Sequence, residues 1–404
     1  MPKTVVLAGA LDTKGADFAF VKGLIEAQGL ATLVVDFGVL GEPAFTPDIG
    51  RAAIAGAGGG DLEQLRSGEY NDRAMRTMAT GLAVIVRQLY DEGRLDGILS
   101  MGGTGGTSIA SGAMRTLPVG VPKVMVSTVG GGDVSAYAGN KDIIFIPSIV
   151  DIAGINRISQ AIYTNAAGAI SGMLQIQAPP LGAEKPLIAA SMFGNTTRAV
   201  DRARTRLEAS GYEVLVFHAT GTGGRTMEGL IADGYFAGAL DITTTELADY
   251  VCGGVFSAGA ERCLAAARAG IPTVLAPGCV DMVNFGALDS VPEQYRARNL
   301  YEWNPNITLL RTNVAENTRM GELIAAAANT ATAPVAIVLP LKGVSMLDSP
   351  GGAFWDPEAD QACFAAIKRN LNPQIPVIEV DHNINDAPFA DRVAEILLKM
   401  LRNE

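Results

Sequence analysis

The stretch VVLAGALDTKGADFAFVKGLIEAQGLATLVVDF, residues 5–37, contains an apolar strand, a turn with glycine, a helix and a second apolar strand. The helical spacing runs from Asp17 to Gln28, and Gly29 is a suitable helix stop. Both strands are continuously apolar, which indicates burial on both faces. This order predicts an α/β fold in which helices cover both faces of a mostly parallel sheet.

The same order of elements returns in the second half of the chain. The stretch LIAASMFGNTTRAVDRARTRLEASGYEVLVF, residues 187–217, again gives strand, turn, helix and strand. Residues 234–249 also parallel residues 93–108, and residues 269–282 parallel residues 119–134. We therefore predict two Rossmann-like, three-layer domains, related by an internal duplication or by convergence on one topology.

The segment APPLGAEKP, residues 178–186, is the expected domain boundary, because its prolines, glycine and charges favour a linker. The predicted domains are 1–180, which would bind a nucleotide, and 181–404, which would bind a second substrate.

The composition excludes several classes of protein. Against 42 Asp and Glu there are 31 Lys and Arg, giving a net charge of −11, and no basic run stands out. We expect no binding to nucleic acid or to a membrane. The N-terminus begins a strand directly and resembles no signal peptide, and no membrane span is expected, so we predict a cytoplasmic protein. The four cysteines form no CxxC pair and are interpreted as buried or free thiols in a reducing compartment.

The glycine-rich segment after the strand Gly97–Met101 is the sharpest candidate site. Ligands of parallel sheets bind beyond the carboxyl ends of the strands, and glycines there expose backbone N–H groups to an anion. A tight turn is the structural alternative. The segment matches neither GxxxxGK[ST] nor GxGxxG. The candidate phosphate-binding residues are Gly102, Gly103, Thr104, Gly105, Gly106 and Thr107.

A second loop follows the neighbouring strand and should lie beside the first. Its hydroxyls and glycines could also contact phosphate; these residues are Ser127, Thr128, Gly130, Gly131 and Gly132. Asp133 could hold Mg²⁺, or it could cap a helix, and both roles could coexist.

A third candidate loop follows the first strand. Asp12, Thr13 and Lys14 lie there, and Lys14 could pair with a phosphate. Asp12 could orient Lys14 or bind metal; its alternative is a helix cap. Asp36 ends the second strand, where an acid often binds ribose hydroxyls.

The second half contains another glycine loop, FHATGTGGRTME, residues 217–228. His218 lies at a strand end and could act as an acid or base, although a structural role is also open. Lys14 and His218 are the candidate catalytic residues. The candidate residues for a second substrate are Asn195, Thr196, His218, Thr220, Gly221, Thr222, Gly223 and Gly224.

The motifs LAGALDTKG, SMGGTGGTS, STVGGGD and IVDIAGINRI together resemble the Tm-1-like ATP-binding family. The resemblance covers essentially the whole chain. It implies two Rossmann-like domains, ATP with Mg²⁺ in the first domain, and a homodimer. By motif position, the ATP site would fall on Asp12, Thr13, Lys14, residues 102–107 and residues 130–133.

The leading hypothesis is an ATP-binding protein that transfers a phosphoryl or adenylyl group to a small anionic substrate held between the two domains. A non-catalytic nucleotide sensor is the first alternative. A hydrolase or lyase that depends on His218 is the second.

Overall fold

The computed structural model describes residues 2–67, 72–177 and 184–403. The chain divides into two compact units, Met1–Pro180 and Leu181–Glu404, called the N-terminal and the C-terminal domain. The stretch expected at the boundary, residues 178–186, lies mostly outside the described residues.

The N-terminal domain alternates strands and helices along nearly its whole length. Its elements are β1 (Thr4–Gly9), α1 (Leu11–Glu26), β2 (Ala31–Asp36), α2 (Arg51–Ala57), α3 (Leu62–Ser67), α4 (Asp72–Asp91), β3 (Gly97–Gly102), α5 (Thr104–Met114), β4 (Lys123–Ser127), α6 (Ser135–Ala138), β5 (Ile144–Pro147) and α7 (Arg157–Gln175).

A parallel sheet forms the centre of this domain, with the described strands in the order β2-β1-β3-β4-β5. The side chains of Val5 to Ala8 in β1 are fully buried, as expected for a strand covered on both faces. Because β1 lies between β2 and β3, the loops that follow these three strands meet at one edge of the sheet.

Two helices of the N-terminal domain begin earlier than the sequence spacing indicated. Helix α1 begins at Leu11, before the expected Asp17, with an irregular conformation at Lys14 (φ −129°, ψ 17°). The sequence pattern predicts a helix over residues 80–92, and the observed helix α4 begins earlier, at Asp72. The turn 10–15 is therefore largely the first turn of a helix, and its side chains are fixed by that helix.

The C-terminal domain repeats the alternation with an insertion. Its elements are β6 (Leu187–Met192), α8 (Thr197–Ala209), β7 (Glu213–His218), α9 (Thr222–Ala232), β8 (Phe236–Thr243), α10 (Thr245–Cys252), α11 (Ala265–Ala269), β9 (Thr273–Gly278), β10 (Met282–Phe285), β11 (Leu300–Asn304), β12 (Ile307–Arg311), α12 (Val314–Ala328), β13 (Val335–Pro340), α13 (Pro357–Asn370), β14 (Val377–Val380) and α14 (Ala387–Leu401), with short 3-10 helices at Gly194–Thr196, Leu288–Ser290 and Glu293–Tyr295.

The main sheet of this domain has the described strands in the order β7-β6-β8-β9-β13-β14, and the pairs are parallel. The first five occupy the same positions as β2-β1-β3-β4-β5 of the N-terminal domain. The predicted α/β fold with two Rossmann-like domains is confirmed, and the shared strand order supports the duplication.

A second, antiparallel sheet was missed by the sequence analysis. Strands β10, β12 and β11 pair in that order after β9. The outer strand β11 is mostly exposed, so it lacks the continuous apolar run that marked the buried strands.

None of the helices in the described residues has the length and apolar character needed to span a bilayer.

Candidate functional site

A pocket of about 300 Å³ lies in the N-terminal domain where the loops after β1, β2 and β3 meet. One part of its wall is polar and comes from the starts of α1 and α5. The other part is apolar and comes from the loop after β2, from α4 and from α5. The polar wall comprises Ala10, Asp12, Thr13, Lys14, Gly102, Gly103, Gly105 and Gly106.

The N-terminus of α5 contributes an open set of backbone donors to the pocket. Gly103 is the N-cap and offers no side-chain cap. The first helical hydrogen bond runs from Thr107 N to Gly103 O (2.8 Å). The amides of Thr104, Gly105 and Gly106 precede it and have no acceptor within the described part of the chain. This end of α5 can bind an anion that enters the pocket.

The start of α1 brings the predicted residues Asp12, Thr13 and Lys14 to the same pocket. Lys14 Nζ donates a hydrogen bond to Ile152 O (2.9 Å), and this leaves it further donors for a ligand. Thr13 is exposed, and its hydroxyl lies 3.5 Å from Ala10 O. The structure therefore joins two of the predicted loops in one site.

The carboxylate of Asp12 also fixes the loop after β2. Its Oδ2 accepts hydrogen bonds from Leu40 N (2.8 Å) and Gly41 N (3.1 Å). Its Oδ1 is buried and has no hydrogen-bond partner among the described residues.

The apolar wall was not found from the sequence. Met78 and Met101 are 1% exposed, so they belong to the hydrophobic core beneath this wall. Residues 74 and 78 lie on one face of α4, ahead of the residues for which the sequence predicted a helix, and their spacing alone cannot show that this face also meets a pocket. The apolar wall comprises Phe37, Val39, Leu40, Ala74, Met75, Met78, Met101 and Ile109, together with Gly38.

Asp36 has a different position from the one predicted for a ribose-binding acid. It is fully buried and does not line the pocket. Its Oδ1 accepts hydrogen bonds from Leu11 N (3.1 Å) and Gly38 N (2.9 Å), and burial raises the pKa of its carboxyl. Asp36 thus ties the start of α1 to the end of β2.

The loop after β4 does not reach the pocket wall. The hydroxyls of Ser127 and Thr107 are buried and lie 2.7 Å apart, so they satisfy each other. Thr128 is exposed, and its amide donates to Gly102 O (3.3 Å). The glycines Gly130, Gly131 and Gly132 are also outside the lining.

Asp133 accepts a hydrogen bond at the start of α6, which resembles the helix-capping alternative to a metal ligand, although the N-cap residue itself is Val134. Asp133 Oδ1 accepts this hydrogen bond from Ser135 N (2.9 Å). Hydrogen bonds from the Ser135 side chain and from its backbone N–H lower the pKa of the Asp133 carboxyl. The side chain is exposed and lies outside the pocket lining. The described residues contain no group of three or more His, Cys, Asp or Glu suited to a metal.

The glycine loop of the C-terminal domain is not the open anion site that its sequence predicted. Oε1 of Glu246 accepts hydrogen bonds from Gly221 N (2.6 Å) and Gly224 N (3.1 Å). Gly221 has a φ of +78°, and a Cβ at Gly224 would overlap the Glu246 carboxylate. Gly221, Gly223 and Gly224 therefore form a tight turn that accommodates the carboxylate of Glu246. Glu246 already occupies the positive end of α9.

Arg262 holds Glu246 in this position. Its guanidinium is buried and donates to Glu246 Oε2 (2.6 Å), to both oxygens of Asp241 and to Glu228 Oε1 (3.0 Å). One guanidinium therefore donates hydrogen bonds to three carboxylates, which its planar set of five N–H donors allows. These four residues are called the Arg262 cluster.

The other predicted residues of the C-terminal site are mostly part of the protein interior. Asn195 and Thr196 are buried, and Thr196 Oγ1 lies 2.8 Å from Thr243 Oγ1. Thr220 Oγ1 donates to His218 O (3.3 Å), and Thr222 is exposed at the start of α9.

His218 is exposed, and its ring stacks on Phe193 at a centroid distance of 5.3 Å. No hydrogen bond or ion pair of its imidazole is present within residues 2–67, 72–177 and 184–403. A catalytic histidine usually has a partner that orients its ring, and the described residues supply none here.

The cysteines are buried and free, as interpreted from the sequence. Burial raises the pKa of the Cys279 thiol well above its usual value, and the nearby Asp281 adds to this effect. Such a thiol is a poor nucleophile.

Comparison with protein families shows what the chain is similar to. Residues 3–179 match the N-terminal domain of the uncharacterised protein family UPF0261, and residues 185–401 match its C-terminal domain. A UPF0261 protein of Clostridium tetani is 49% identical over 99% of this chain and 100% of its own length. The ToMV resistance protein Tm-1 of Solanum lycopersicum is 41% identical over 81% of this chain and 44% of its own length.

Solved structures of similar architecture are distant. A UDP-N-acetylglucosamine 2-epimerase from Rickettsia bellii has a TM-score of 0.24 and 10% identity over 100% of this chain and 96% of its own. MurG of Acinetobacter baumannii has a TM-score of 0.22 and 12% identity over 99% of this chain and 100% of its own. Likenesses at this distance carry no argument about a substrate.

Proposed function

We propose that this chain, which belongs to the UPF0261 family, binds a nucleoside triphosphate, ATP, in the pocket of its N-terminal domain. The observation that carries the proposal is the division of the pocket into an anion-binding wall and an apolar wall. A ligand that fits such a pocket has a negatively charged end and a flat, largely apolar body.

The phosphates are assigned to the start of α5. Its unpaired amides, and the glycines that leave them accessible, stabilise negative charge at this position. Lys14 adds a positive charge from the neighbouring helix. Phosphate oxygens accept several hydrogen bonds at once, which matches a set of converging donors.

The base and sugar are assigned to the apolar wall. Methionine side chains are flexible and polarizable and pack well against aromatic rings, so the half-buried Met75 in this wall suits a purine. The resemblance of the loop motifs to the Tm-1-like ATP-binding family supports adenine as the base.

Transfer of a phosphoryl or adenylyl group to a second substrate stays a prediction with weaker support. Group transfer was predicted because the glycine loop of the C-terminal domain looked like a second anion site. The carboxylate of Glu246 occupies that loop instead. The same observation favours the alternative of a nucleotide sensor. The His218-dependent reaction also lacks an orienting partner among the described residues.

Calorimetric titration of the full chain tests the proposal by comparing ATP with compounds that represent its two parts. ATP, adenosine and inorganic tripolyphosphate are titrated separately in Mg²⁺ buffer. We expect ATP to bind at least about tenfold more tightly than either fragment, because only ATP contacts both walls. Equal affinity for tripolyphosphate and ATP would contradict the role of the apolar wall, and no binding of ATP would refute the proposal.

We also propose that the chain forms a homodimer, as the resemblance implies, and that it is cytoplasmic, as the sequence predicts. Light scattering on the purified chain tests the dimer, and a mass of one chain at micromolar concentration would contradict it.

A further inference from the structure

The motif IVDIAGINRI, residues 149–158, forms most of the segment that connects β5 to α7, and it lies outside the lining of the pocket. One of its carbonyl groups nevertheless reaches the start of α1. Lys14 Nζ, which lines the pocket, donates a hydrogen bond to Ile152 O (2.9 Å). The motif therefore contacts the nucleotide site through Lys14.

Lys14 is the positively charged side chain among the described residues that line this pocket. A lysine side chain is a flexible four-carbon stem, so a phosphate that binds a mobile ammonium must also restrict its rotamers. The hydrogen bond to Ile152 O restricts the side chain before a ligand is present, and a group that is already ordered binds with a smaller loss of entropy. This advantage exists only while Ile152 O keeps its position.

The position of Ile152 O is fixed by Asp17, which follows Lys14 on α1 by three residues and is 1% exposed. Gly154 N lies 3.2 Å from each oxygen of the Asp17 carboxylate and donates to them, and Oδ1 also accepts from the Tyr163 hydroxyl of α7 (3.0 Å). Tyr163 is buried as well. Burial, together with the neighbouring carboxylate, raises the pKa of its hydroxyl, so this group stays protonated and donates. Asp17 thus joins the loop to both α1 and α7.

Two further features hold the loop in this conformation. Gly154 has a φ of +97°, which a glycine adopts without strain. Asn156 caps α7, where its Oδ1 accepts from Ile158 N (2.9 Å) and Ser159 N (3.0 Å). Ser159 Oγ in turn donates to Gly154 O (3.2 Å). The glycine and the asparagine of the motif are therefore explained by the geometry that presents the loop to Lys14.

We infer that Asp17 and Tyr163 are positioning residues of the nucleotide site: through the loop 149–156 they hold Lys14 Nζ where the phosphates bind. The inference rests on the proposed binding of ATP and adds to it the residues that order its lysine. Neither Asp17 nor Tyr163 lines the pocket, so their effect on the ligand passes through Lys14. The bond to Ile152 O uses one of the three donors of the ammonium and leaves two for phosphate oxygens.

The test uses Gly154→Ala and Tyr163→Phe, two changes that disturb the loop without touching the pocket. A Cβ at position 154 would meet no non-neighbouring atom within 4 Å, so it fits, but the positive φ would strain the backbone and shift the amide that Asp17 binds. Phenylalanine keeps the ring of Tyr163 and removes only the hydroxyl. The matched control is Gly93→Ala, which has the same kind of strain (φ +68°) and the same open space, but lies outside the loop and the pocket lining.

Calorimetry with Mg²⁺ measures the affinity of each protein for ATP and for adenosine. We expect Gly154→Ala and Tyr163→Phe to weaken ATP binding between about threefold and about tenfold, tenfold being the loss expected from removing the ammonium in Lys14→Ala. The affinity for adenosine, which has no phosphate, should stay within about twofold of the wild type, as should both affinities of Gly93→Ala. Loss of adenosine affinity in the same proportion as ATP affinity would indicate a general structural role and would overturn the inference.

A double-mutant cycle shows whether the effect passes through Lys14. In the Lys14→Ala background, Gly154→Ala and Tyr163→Phe should cause no further loss of ATP affinity, because the group that they position is absent. A further loss as large as in the wild-type background overturns the inference, and so does wild-type affinity of both single variants. Tyr163→Phe carries the same test if the loop variant does not fold. These outcomes leave ATP binding intact, whereas absence of binding by the wild type would overturn the proposed function as well.

Discussion

Replacing Arg262 with methionine should destabilise the C-terminal domain by about 3–5 kcal/mol, the range for removing one partner of a buried ion pair. The Arg262 side chain is fully buried and contacts Asp241, Glu246 and Glu228. Methionine has a similar length but no charge, so the variant would leave buried carboxylates without a cation. Glu246 would also lose the contact that holds it at the start of α9.

Urea unfolding followed by tryptophan fluorescence measures this change. Both tryptophans, Trp303 and Trp355, lie in the C-terminal domain, so the signal reports on that domain. The matched control is Arg202→Met, because Arg202 is half exposed and pairs with Asp391 at the surface. Exposed pairs contribute about 0–1 kcal/mol, so the control should stay close to the wild type.

The result that refutes this reasoning is a loss of less than about 1 kcal/mol in Arg262→Met. It would mean that the three carboxylates become protonated or hydrated at little cost. Glu246 would then not be a fixed occupant of the α9 terminus, and the predicted second anion site would regain its basis.

Three further predictions concern charge and burial. Lys14→Ala should weaken ATP binding about tenfold in calorimetry, and His218→Ala should leave it unchanged; equal effects of both would contradict the assignment of the site. Burial, with Asp348 nearby, raises the pKa of Asp360 to about 9, so the folded protein keeps a proton that the unfolded chain releases above about pH 4. The free energy of unfolding of the wild type should therefore fall as the pH rises in this range. The difference in unfolding free energy between Asp360→Asn and the wild type should shift in favour of the variant by about 1 kcal/mol per pH unit between about pH 6 and 8. Urea titrations that give the same difference at every pH would refute this prediction. The buried cysteines should react with a thiol reagent only after denaturation, and fast labelling of Cys279 in the folded protein would show that its thiol is accessible.

The sequence was informative wherever a single local pattern determined the structure. Continuous apolar runs identified the buried strands, and the repeated order of elements identified two domains with one topology. The glycine segment after β3 was predicted to expose backbone N–H groups, and the structure places the uncapped start of α5 there.

The sequence could not show which polar groups already have partners within the protein. Gly221 and Gly224 have the composition of an anion loop, but a carboxylate from residue 246 fills it. Asp36 and Ser127 likewise looked available and are buried in internal hydrogen bonds. Such pairings join residues about 20 or more positions apart, which no local pattern can specify.

The apolar wall of the pocket was missed for a related reason. Met78 on α4 follows the spacing of an ordinary core face, and this spacing is the same whether the face meets other side chains or a ligand. The exposed strand β11 was missed because it lacks an apolar run.

The most direct test of the central claim compares ATP binding by the wild type and by Gly106→Asp. A Cβ at position 106 would come no closer than 4.0 Å to its nearest neighbour, Met101 O, so the substitution should fold, and an acidic residue is favourable at a helix N-terminus. Its carboxylate would compete for the α5 amides that are assigned to the phosphates. The account predicts that calorimetry with Mg²⁺ detects one ATP per wild-type chain and a loss of affinity of at least about tenfold in the variant. No binding by the wild type, or equal affinity of the two proteins, would contradict it.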